Sequence, residues 1–166
     1  TCALPISLRD VGGDFPPTRI GAGVDTLAVG VNFLEHLSGL SPDPAGLAEV
    51  ATAADIEAVC AFTFDTLSAA TACHARTFLP DAAGRPRVRG LEMPVTPRIA
   101  GGCVRHLARR GTIEAERPAV EQGQFLDRPS RIDVRVDEGA VGGRAVTSLS
   151  GTVTVPPSAD DDIIEV

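Results

Sequence analysis

The clearest helical pattern lies between Pro97 and Arg110. Apolar residues recur there at spacings of three and four, which places them on one stripe of a helix. Thr96 precedes the pattern and is a good N-cap residue, with Pro97 at the first helical position. Gly111 follows it as a C-terminal stop. We therefore predict a helix over 97–110 with one buried face, formed by Ile99, Cys103, Val104 and Leu107.

The same helix has an unusual run of small residues, Ala100, Gly101 and Gly102. A glycine inside a helix costs about 1 kcal/mol relative to alanine. Close packing against another element would offset that cost, and so would a bound ligand. The helix N-terminus is also a general anion-binding position. The pattern alone leaves both interpretations open: a tightly packed helix without chemistry, or a ligand site.

Apolar and charged residues alternate near residues 131–136, where Ile132, Val134 and Val136 share one face. This pattern predicts a half-exposed antiparallel strand. Asp43 and Pro44 start a short helix that ends near Ala51. Together these patterns predict one α+β domain, with mostly antiparallel strands wrapped on one principal helix. Further strands are predicted at 24–34, 59–65, 73–80, 119–122, 140–147 and 151–155.

Composition divides the chain into three parts. Glycine and proline pairs make residues 1–22 a predicted linker, and Asp160–Asp162 lie in a predicted flexible tail over 157–166. The domain between them covers 23–156. The first residue is Thr1, which we interpret as the start of a fragment, of a chain separated by gene splitting or of a processed subunit. A self-processed N-terminal threonine hydrolase is an outside alternative, since an exposed N-terminal threonine can act as a nucleophile.

Charge and cysteine usage narrow the function classes. All 15 basic residues are arginine and the net charge is −7, which argues against a general nucleic-acid binder. No apolar run approaches the roughly 18 residues of a membrane helix. The four cysteines, at 2, 60, 73 and 103, form no C-x-x-C pair. We therefore expect free thiols in a cytoplasmic protein, with no metal ion.

Several motifs occur in a characteristic order. An R-x-F-x-P pattern (76–80) precedes E-x-P-V-T (92–96) and the predicted helix, and E-Q-G (121–123) precedes R-P-S-x-I (128–132). This ordered set resembles the C-terminal half of PhzF-type isomerases and epimerases, which are phenazine biosynthesis-like proteins related to diaminopimelate epimerase. The resemblance extends from about Gly23 to Val155.

The resemblance implies a fold, an active-site location and a reaction. Each half of such a protein is an antiparallel, barrel-like sheet wrapped around a central helix, and the active site lies between the halves. The principal acid/base glutamate and a second histidine belong to the other half. The implied function is isomerisation or epimerisation of a small carboxylic acid, without a cofactor. The implied partners are a second chain that supplies the N-terminal half and, for the two-half unit, a possible homodimer; no nucleic acid or membrane is expected.

The sequence departs from the family pattern at the helix start. The family has E-D-P-x-T-G-S where this chain has residues 92–98, EMPVTPR. Met93 replaces an active-site aspartate, and Pro97 replaces a glycine whose amide helps to hold the substrate carboxylate. Proline has no N–H to donate. Arg98 replaces a serine and either binds a carboxylate directly or faces solvent; the sequence favours neither.

The matches and departures together indicate a candidate site. Glu92 and Thr96 are the predicted catalytic residues, although Glu92 could equally cap the helix or pair with Arg98. The predicted substrate-binding residues are Arg98, Ile99, Gly101 and Gly102. The alternative to an enzyme is a non-catalytic binding or partner-stabilising domain with a degenerate site.

Two further side chains, a thiol and an imidazole, could take part in catalysis, but the residues around them do not indicate an active site. Cys103 lies on the apolar stripe of the predicted helix and is interpreted as a buried structural cysteine. His74 lies inside a predicted strand and could move a proton at neutral pH. Without a neighbouring group in the sequence, a structural role for His74 is favoured.

Overall fold

The computed structural model describes residues 11–12, 15–21, 23–80 and 91–155. They form one eight-stranded sheet with strand order β1-β2-β3-β4-β6-β7-β8, and β5 pairs with β4 beside this path. The strands are β1 (Thr18–Gly21), β2 (Asp25–Gly30), β3 (Ala58–Thr63), β4 (Cys73–Phe78), β5 (Glu92–Met93), β6 (Ala119–Gln122), β7 (Ser130–Arg135) and β8 (Ala140–Gly142). The helices are α1 (Leu34–Ser38), α2 (Pro44–Ala54) and α3 (Pro97–Arg109), with a 3-10 turn at Gln124–Leu126.

The sheet is mixed, which corrects the antiparallel expectation in part. β2 pairs with β3 in parallel, as β4 does with β6, and the other pairs are antiparallel. Parallel neighbours need a crossover connection. Helices α1 and α2 provide it between β2 and β3, and α3 provides it between β4 and β6.

Helix α3 has the central place that its sequence predicts. It contacts β1, β3, β4, β6, β7 and β8, so the curved sheet wraps around it. Its apolar stripe is buried in a core with residues such as Cys60, Phe62 and Ala75. The opposite face of the sheet packs on α1 and α2 through a second core that includes Val59 and Phe78. Strands β3 and β4 are therefore buried on both faces.

Of the three residues predicted to cap or stop a helix, Asp43 and Gly111 act as expected. The side chain of Asp43 accepts a hydrogen bond from the Gly46 N–H at 2.8 Å. At the end of α3, Gly111 has φ +74°, and the Thr112 N–H donates to the Leu107 carbonyl at 3.0 Å. This is the Schellman arrangement that glycine favours. Thr96 occupies the N-cap position of α3, but its hydroxyl makes no capping bond, which corrects that part of the prediction.

The predicted linker over 1–22 is wrong for the part that the structure describes. Residues 18–21 form β1, which pairs with β2. Phe15 is buried in the α3 core, where its ring meets that of Phe62 edge-on. Val11 forms an isolated bridge with Val31. Glycine and proline punctuate this stretch, but its apolar residues still find partners in the sheet.

The predicted strands at the other end form only in part. β8 stops at Gly142, and residues 143–155 have no strand structure. The strand predicted at 151–155 is therefore absent from the described chain, and so is the part of the predicted 140–147 strand that follows residue 142. A strand needs a neighbour for its backbone groups, and this segment has none in the sheet. The predicted acidic tail at 157–166 lies outside the described residues.

No helix in the described ranges combines the length and the apolar character needed to span a membrane.

Candidate functional site

The loop that leads into α3 is held by one side chain from β6. Gln122 is buried, and its Oε1 accepts hydrogen bonds from the N–H and from the hydroxyl of Thr96, both at 3.0 Å. Its Nε2 donates to the Met93 carbonyl at 3.0 Å. The Thr96 hydroxyl also lies 2.9 Å from the hydroxyl of Thr77. Thr96 is thus fixed beneath the helix start, which explains why its side chain does not cap α3.

Gly123, the next residue, also helps to hold the loop that leads into α3. Its φ is +89°, and a Cβ at this position would collide with the carbonyl oxygens of Pro94 and Arg128. Glycine is the residue that permits both the left-handed backbone and the close approach. The E-Q-G motif therefore positions the loop at 93–96. The motif stands out in the sequence, but its letters do not reveal this role.

Glu92 is paired with Arg76 rather than with Arg98. Its two carboxylate oxygens accept from Nε and Nη2 of Arg76 at 2.8 and 2.6 Å. Both side chains are nearly buried, and Nη1 of Arg76 also donates to the carbonyls of Leu37 and Leu40 at 2.9 Å. A bidentate buried pair of this kind ties β4, β5 and the end of α1 together.

A cleft of about 810 Å³ opens beside the first turn of α3. Val95 and Pro97 line it from the helix side, and residues 129–133 and 141–144 line it from β7 and β8. Its polar side chains include Ser130 and Arg144, together with an Arg131–Asp133 pair whose Nε and Oδ1 are 2.9 Å apart.

A smaller cavity of about 330 Å³ lies along the same helix. It brings together Arg98, Gly101 and Gly102, three of the four predicted substrate-binding residues, with Arg105. Arg105 donates from Nε to the Val136 carbonyl at 2.8 Å. Among the residues that the structure describes, none makes a hydrogen bond or ion pair with the Arg98 guanidinium.

The other predicted site residues lie elsewhere. Ile99 is buried in the α3 core and lines neither of the two cavities. Thr96 is buried under the loop, and Glu92 is held by Arg76. The structure thus brings Arg98, Gly101 and Gly102 together and separates them from the two predicted catalytic residues. The roles of all six in binding or catalysis stay predictions.

Packing accounts for one of the two helical glycines. A Cβ at Gly101 would lie 2.5 Å from Cγ1 of Val141 on β8. The Val141 side chain on β8 therefore occupies the space that a side chain at position 101 would need. The interpretation of a tightly packed helix is confirmed at this position.

A buried polar cluster lies on β4 and β6. Nδ1 of His74 is 3.5 Å from Oε2 of Glu121, and the imidazole stacks on Phe125 at 4.9 Å. Burial lowers the pKa of His74, and the nearby Glu121 carboxylate opposes that effect. Glu121 in turn accepts from the Ser68 N–H at 3.1 Å and the Thr71 hydroxyl at 2.5 Å. Glu121 was not predicted as a neighbour of His74, because only the parallel pairing of β4 with β6 brings the two residues together.

Cys103 is a buried core cysteine, as its place on the apolar stripe predicts. It is 2% exposed. A hydrogen bond with Cys60 and burial both raise the pKa of its thiol. Such a thiol is a poor nucleophile, since the thiolate is the reactive form.

Comparison with known proteins agrees with this architecture. The model of the phenazine biosynthesis-like family PhzC-PhzF matches residues 4–155. An uncharacterized isomerase, YfhB of Bacillus subtilis, is 27% identical over 150 residues, which cover 90% of this chain and 49% of that protein.

Solved structures show the same fold. The PhzF-family phenazine biosynthesis protein of Bacillus anthracis superposes with a TM-score of 0.67 at 19% identity, over 84% of this chain and 47% of its own. A predicted epimerase of Pseudomonas aeruginosa gives a TM-score of 0.61 at 26% identity, over 84% of this chain and 44% of its own. The chain spans about half the length of these relatives. With the family model matched along nearly its whole length, this chain belongs to the phenazine biosynthesis-like (PhzC-PhzF) family.

Proposed function

We propose that this chain forms one half of an isomerase or epimerase that acts on a small carboxylic acid. The substrate would bind at the start of α3, and a second polypeptide half would close the site. The observation that carries the proposal is the cleft of about 810 Å³ at the first turn of α3. It opens at the same helix start where the family motif lies in the sequence.

The charges around the helix start suit an anionic substrate. Arg98 has no partner among the described residues and lines the smaller cavity on the first turn of α3. Arg144 adds a second positive charge at the larger cleft. A guanidinium can bind a carboxylate through two parallel hydrogen bonds. Pro97 contributes no amide, so Arg98 would take over the contact that an N–H at that position cannot make.

The cleft is poor in acid/base groups, which supports a shared active site. Within the described part of its lining, Asp133 is the one carboxylate, and it is engaged by Arg131. Glu92 is held by Arg76 outside the cleft. Proton removal beside a carboxylate needs a positioned base. We therefore infer that the other half supplies this base.

Deuterium exchange tests the proposal. The chain would be combined with its other half and incubated in D₂O with a panel of small amino and cyclic carboxylic acids. NMR would then detect loss of the proton beside the carboxyl group. The Arg98→Ala variant should lose most of the exchange, whereas Arg109→Ala, at the exposed far end of α3, should keep it. An active preparation in which Arg98→Ala exchanges at the full rate would contradict the assigned role of Arg98.

A non-catalytic binding domain is the second candidate. Met93 and Pro97 favour it, because they replace the polar groups of the family pattern, and the ion pair of Glu92 removes another candidate acid. In that case the panel would bind, as measured by calorimetry, without any exchange. Arg98→Ala would weaken the binding, and the double variant Met93→Asp, Pro97→Gly would gain no activity. Thr1, on which the hydrolase alternative rests, lies outside the described residues.

A further inference from the structure

The smaller cavity beside α3 is lined by two positive charges, from Arg98 and Arg105, and by no carboxylate within the described lining. Its remaining walls are glycine and valine: Gly101, Gly102, Val134, Gly139 and Val141. The volume of about 330 Å³ lies within the range of sites for small molecules. Val141 also lines the larger cleft at the helix start. The two cavities are therefore neighbours, and a ligand in the cleft could extend into the smaller one.

Helix geometry places the two arginines in line on one face of α3. They are seven residues apart, which is just under two turns, and their Cα atoms are separated by about 10 Å along the helix axis. Gly101 and Gly102 lie between them in the sequence and line the same cavity. Because glycine has no side chain, a ligand that lies between the two guanidinium groups can approach the helix backbone closely.

Arg105 is held in place through one of its five donors. Its Nε donates to the Val136 carbonyl at 2.8 Å. A Cβ at Gly139 would lie 3.0 Å from Cζ and from Nη2 of Arg105, so the guanidinium lies close against the turn between β7 and β8. In the described chain, nothing accepts a hydrogen bond from Nη1 or Nη2. These two groups stand side by side and match the two oxygens of a carboxylate.

Two like charges in one cavity favour a ligand with more than one negative charge. A ligand that enters the cavity displaces water from both guanidinium groups, and this desolvation is costly unless each charge gains a partner. A monocarboxylate that binds Arg98 would leave Arg105 without one. A second carboxylate on the same ligand would pair with Arg105, and the carbon chain between the two acid groups would contact the glycine and valine walls.

We propose that the substrate is a dicarboxylic acid, with one carboxylate on Arg98 beside the reacting carbon and the other on Arg105 in the smaller cavity. Arg105 is then a specificity-determining residue that takes no part in proton transfer. The assignment of the first carboxylate rests on the proposed function. The second contact rests on the shared cavity, on the single hydrogen bond from Nε of Arg105 and on its unpaired Nη groups.

Calorimetry with two matched acids tests the proposal without any measurement of activity. The probes are adipate and hexanoate, which have the same six-carbon chain and differ in the second carboxylate. Adipate should bind to the purified chain about tenfold or more tightly than hexanoate, because it gains a charge-assisted contact with Arg105. The preference should decrease as salt is added, since it comes from charges that are partly exposed to solvent.

Variants of three arginines on α3 sharpen this test. Arg105→Gln removes the charge but keeps an N–H donor for the Val136 carbonyl, so it should lower the affinity for adipate about tenfold and leave that for hexanoate unchanged. Arg98→Ala should weaken the binding of both acids. Arg109→Ala is the control, because Arg109 lines neither cavity, and it should change neither affinity. Circular dichroism would verify the fold, and Arg105→Lys, which keeps the charge, should keep part of the preference for adipate.

Several outcomes would overturn the proposal. Equal affinities for adipate and hexanoate, or no binding of adipate at millimolar concentrations, would remove the second contact. A merely structural role of Arg105 would weaken the binding of both acids alike in Arg105→Gln. The proposed function fails separately: a preference for adipate that depends on Arg105, without any deuterium exchange, would leave this site standing and remove the isomerase. Exchange of monocarboxylic acids alone, at full rate in Arg105→Gln, would do the reverse.

Discussion

Oε1 of Gln122 accepts two hydrogen bonds from Thr96, one from the backbone N–H and one from the hydroxyl, each at 3.0 Å. A single buried oxygen on β6 thereby sets the position of the residue that precedes α3. The shape of the cleft at the helix start depends on this contact, because Val95 and Pro97, which flank Thr96, line it.

Gln122→Ala should lower the free energy of unfolding by about 1–3 kcal/mol, because the buried N–H and hydroxyl of Thr96 lose their acceptor. Urea denaturation followed by circular dichroism would measure the change. Thr96→Ser keeps both donors and should cost less than about 1 kcal/mol, which is the value of one lost methyl group. Equal losses in the two variants would show that packing, rather than hydrogen bonding, holds the loop.

Arg76→Met should be among the most destabilising substitutions. It leaves the Glu92 carboxylate buried without a partner and removes the donor for the carbonyls of Leu37 and Leu40. Removal of one partner from a buried pair costs about 3–5 kcal/mol. The matched control is Arg135→Met, which breaks the exposed pair with Glu138 and should cost less than about 1 kcal/mol. Thermal denaturation of the two variants would separate these values.

Gly101→Ala should destabilise the protein by about 1–3 kcal/mol, since the new methyl group would overlap with Val141. Val141→Ala in the same chain should recover much of the loss, because the clash is with Cγ1 of that valine. A double-mutant cycle by denaturant unfolding measures the coupling. Additive effects in the cycle would place the clash elsewhere.

The stability of the fold should decrease in mild acid. Burial lowers the pKa of His74, with Glu121 opposing, so the unfolded state binds a proton that the folded state does not. The free energy of unfolding should therefore fall as the pH drops below about 6.5, the ordinary histidine value, toward the lower pKa of the folded state. Denaturant titrations at a series of pH values would detect the decrease.

Two histidine variants would show which residues cause the loss of stability in mild acid. Burial also lowers the pKa of His106, assisted by Arg110, so both histidines contribute in the same direction. His74→Gln and His106→Gln should each flatten the decline, and together they should remove most of it. A decline that persists in the double variant would have to come from titratable groups other than these two histidines.

Local patterns along the chain predicted much of the architecture correctly. The apolar stripe of α3, its Schellman end at Gly111 and the Asp43 cap depend on neighbours within a few residues, and each forms as expected. The family motifs also placed the chain correctly. The linker prediction was wrong because glycine and proline describe local turns, whereas Phe15 and β1 are ordered by distant partners.

The candidate site was also predictable only in part, because some of its residues are held by partners that are distant in the sequence. Arg98, Gly101 and Gly102 share a cavity because helix geometry brings them together. The partners of Glu92 and Thr96 come from β4 and β6, 16 and 26 residues away. No local spacing indicates such contacts, so Arg76 and Gln122 were visible only as motif letters without a role.

The sequence by itself determined the central helix, the family and those strands and helices whose signals are local, because periodicity, capping and motif order act over short distances. The tertiary structure decided the parallel pairings, the clamp of Gln122 on Thr96 and the pairing of Glu92 with Arg76, because these need chain segments brought together by the sheet. It also decided the state of residues 151–155, whose alternation predicts a strand. A strand forms only where another strand can accept its backbone hydrogen bonds, and the described sheet offers this segment none.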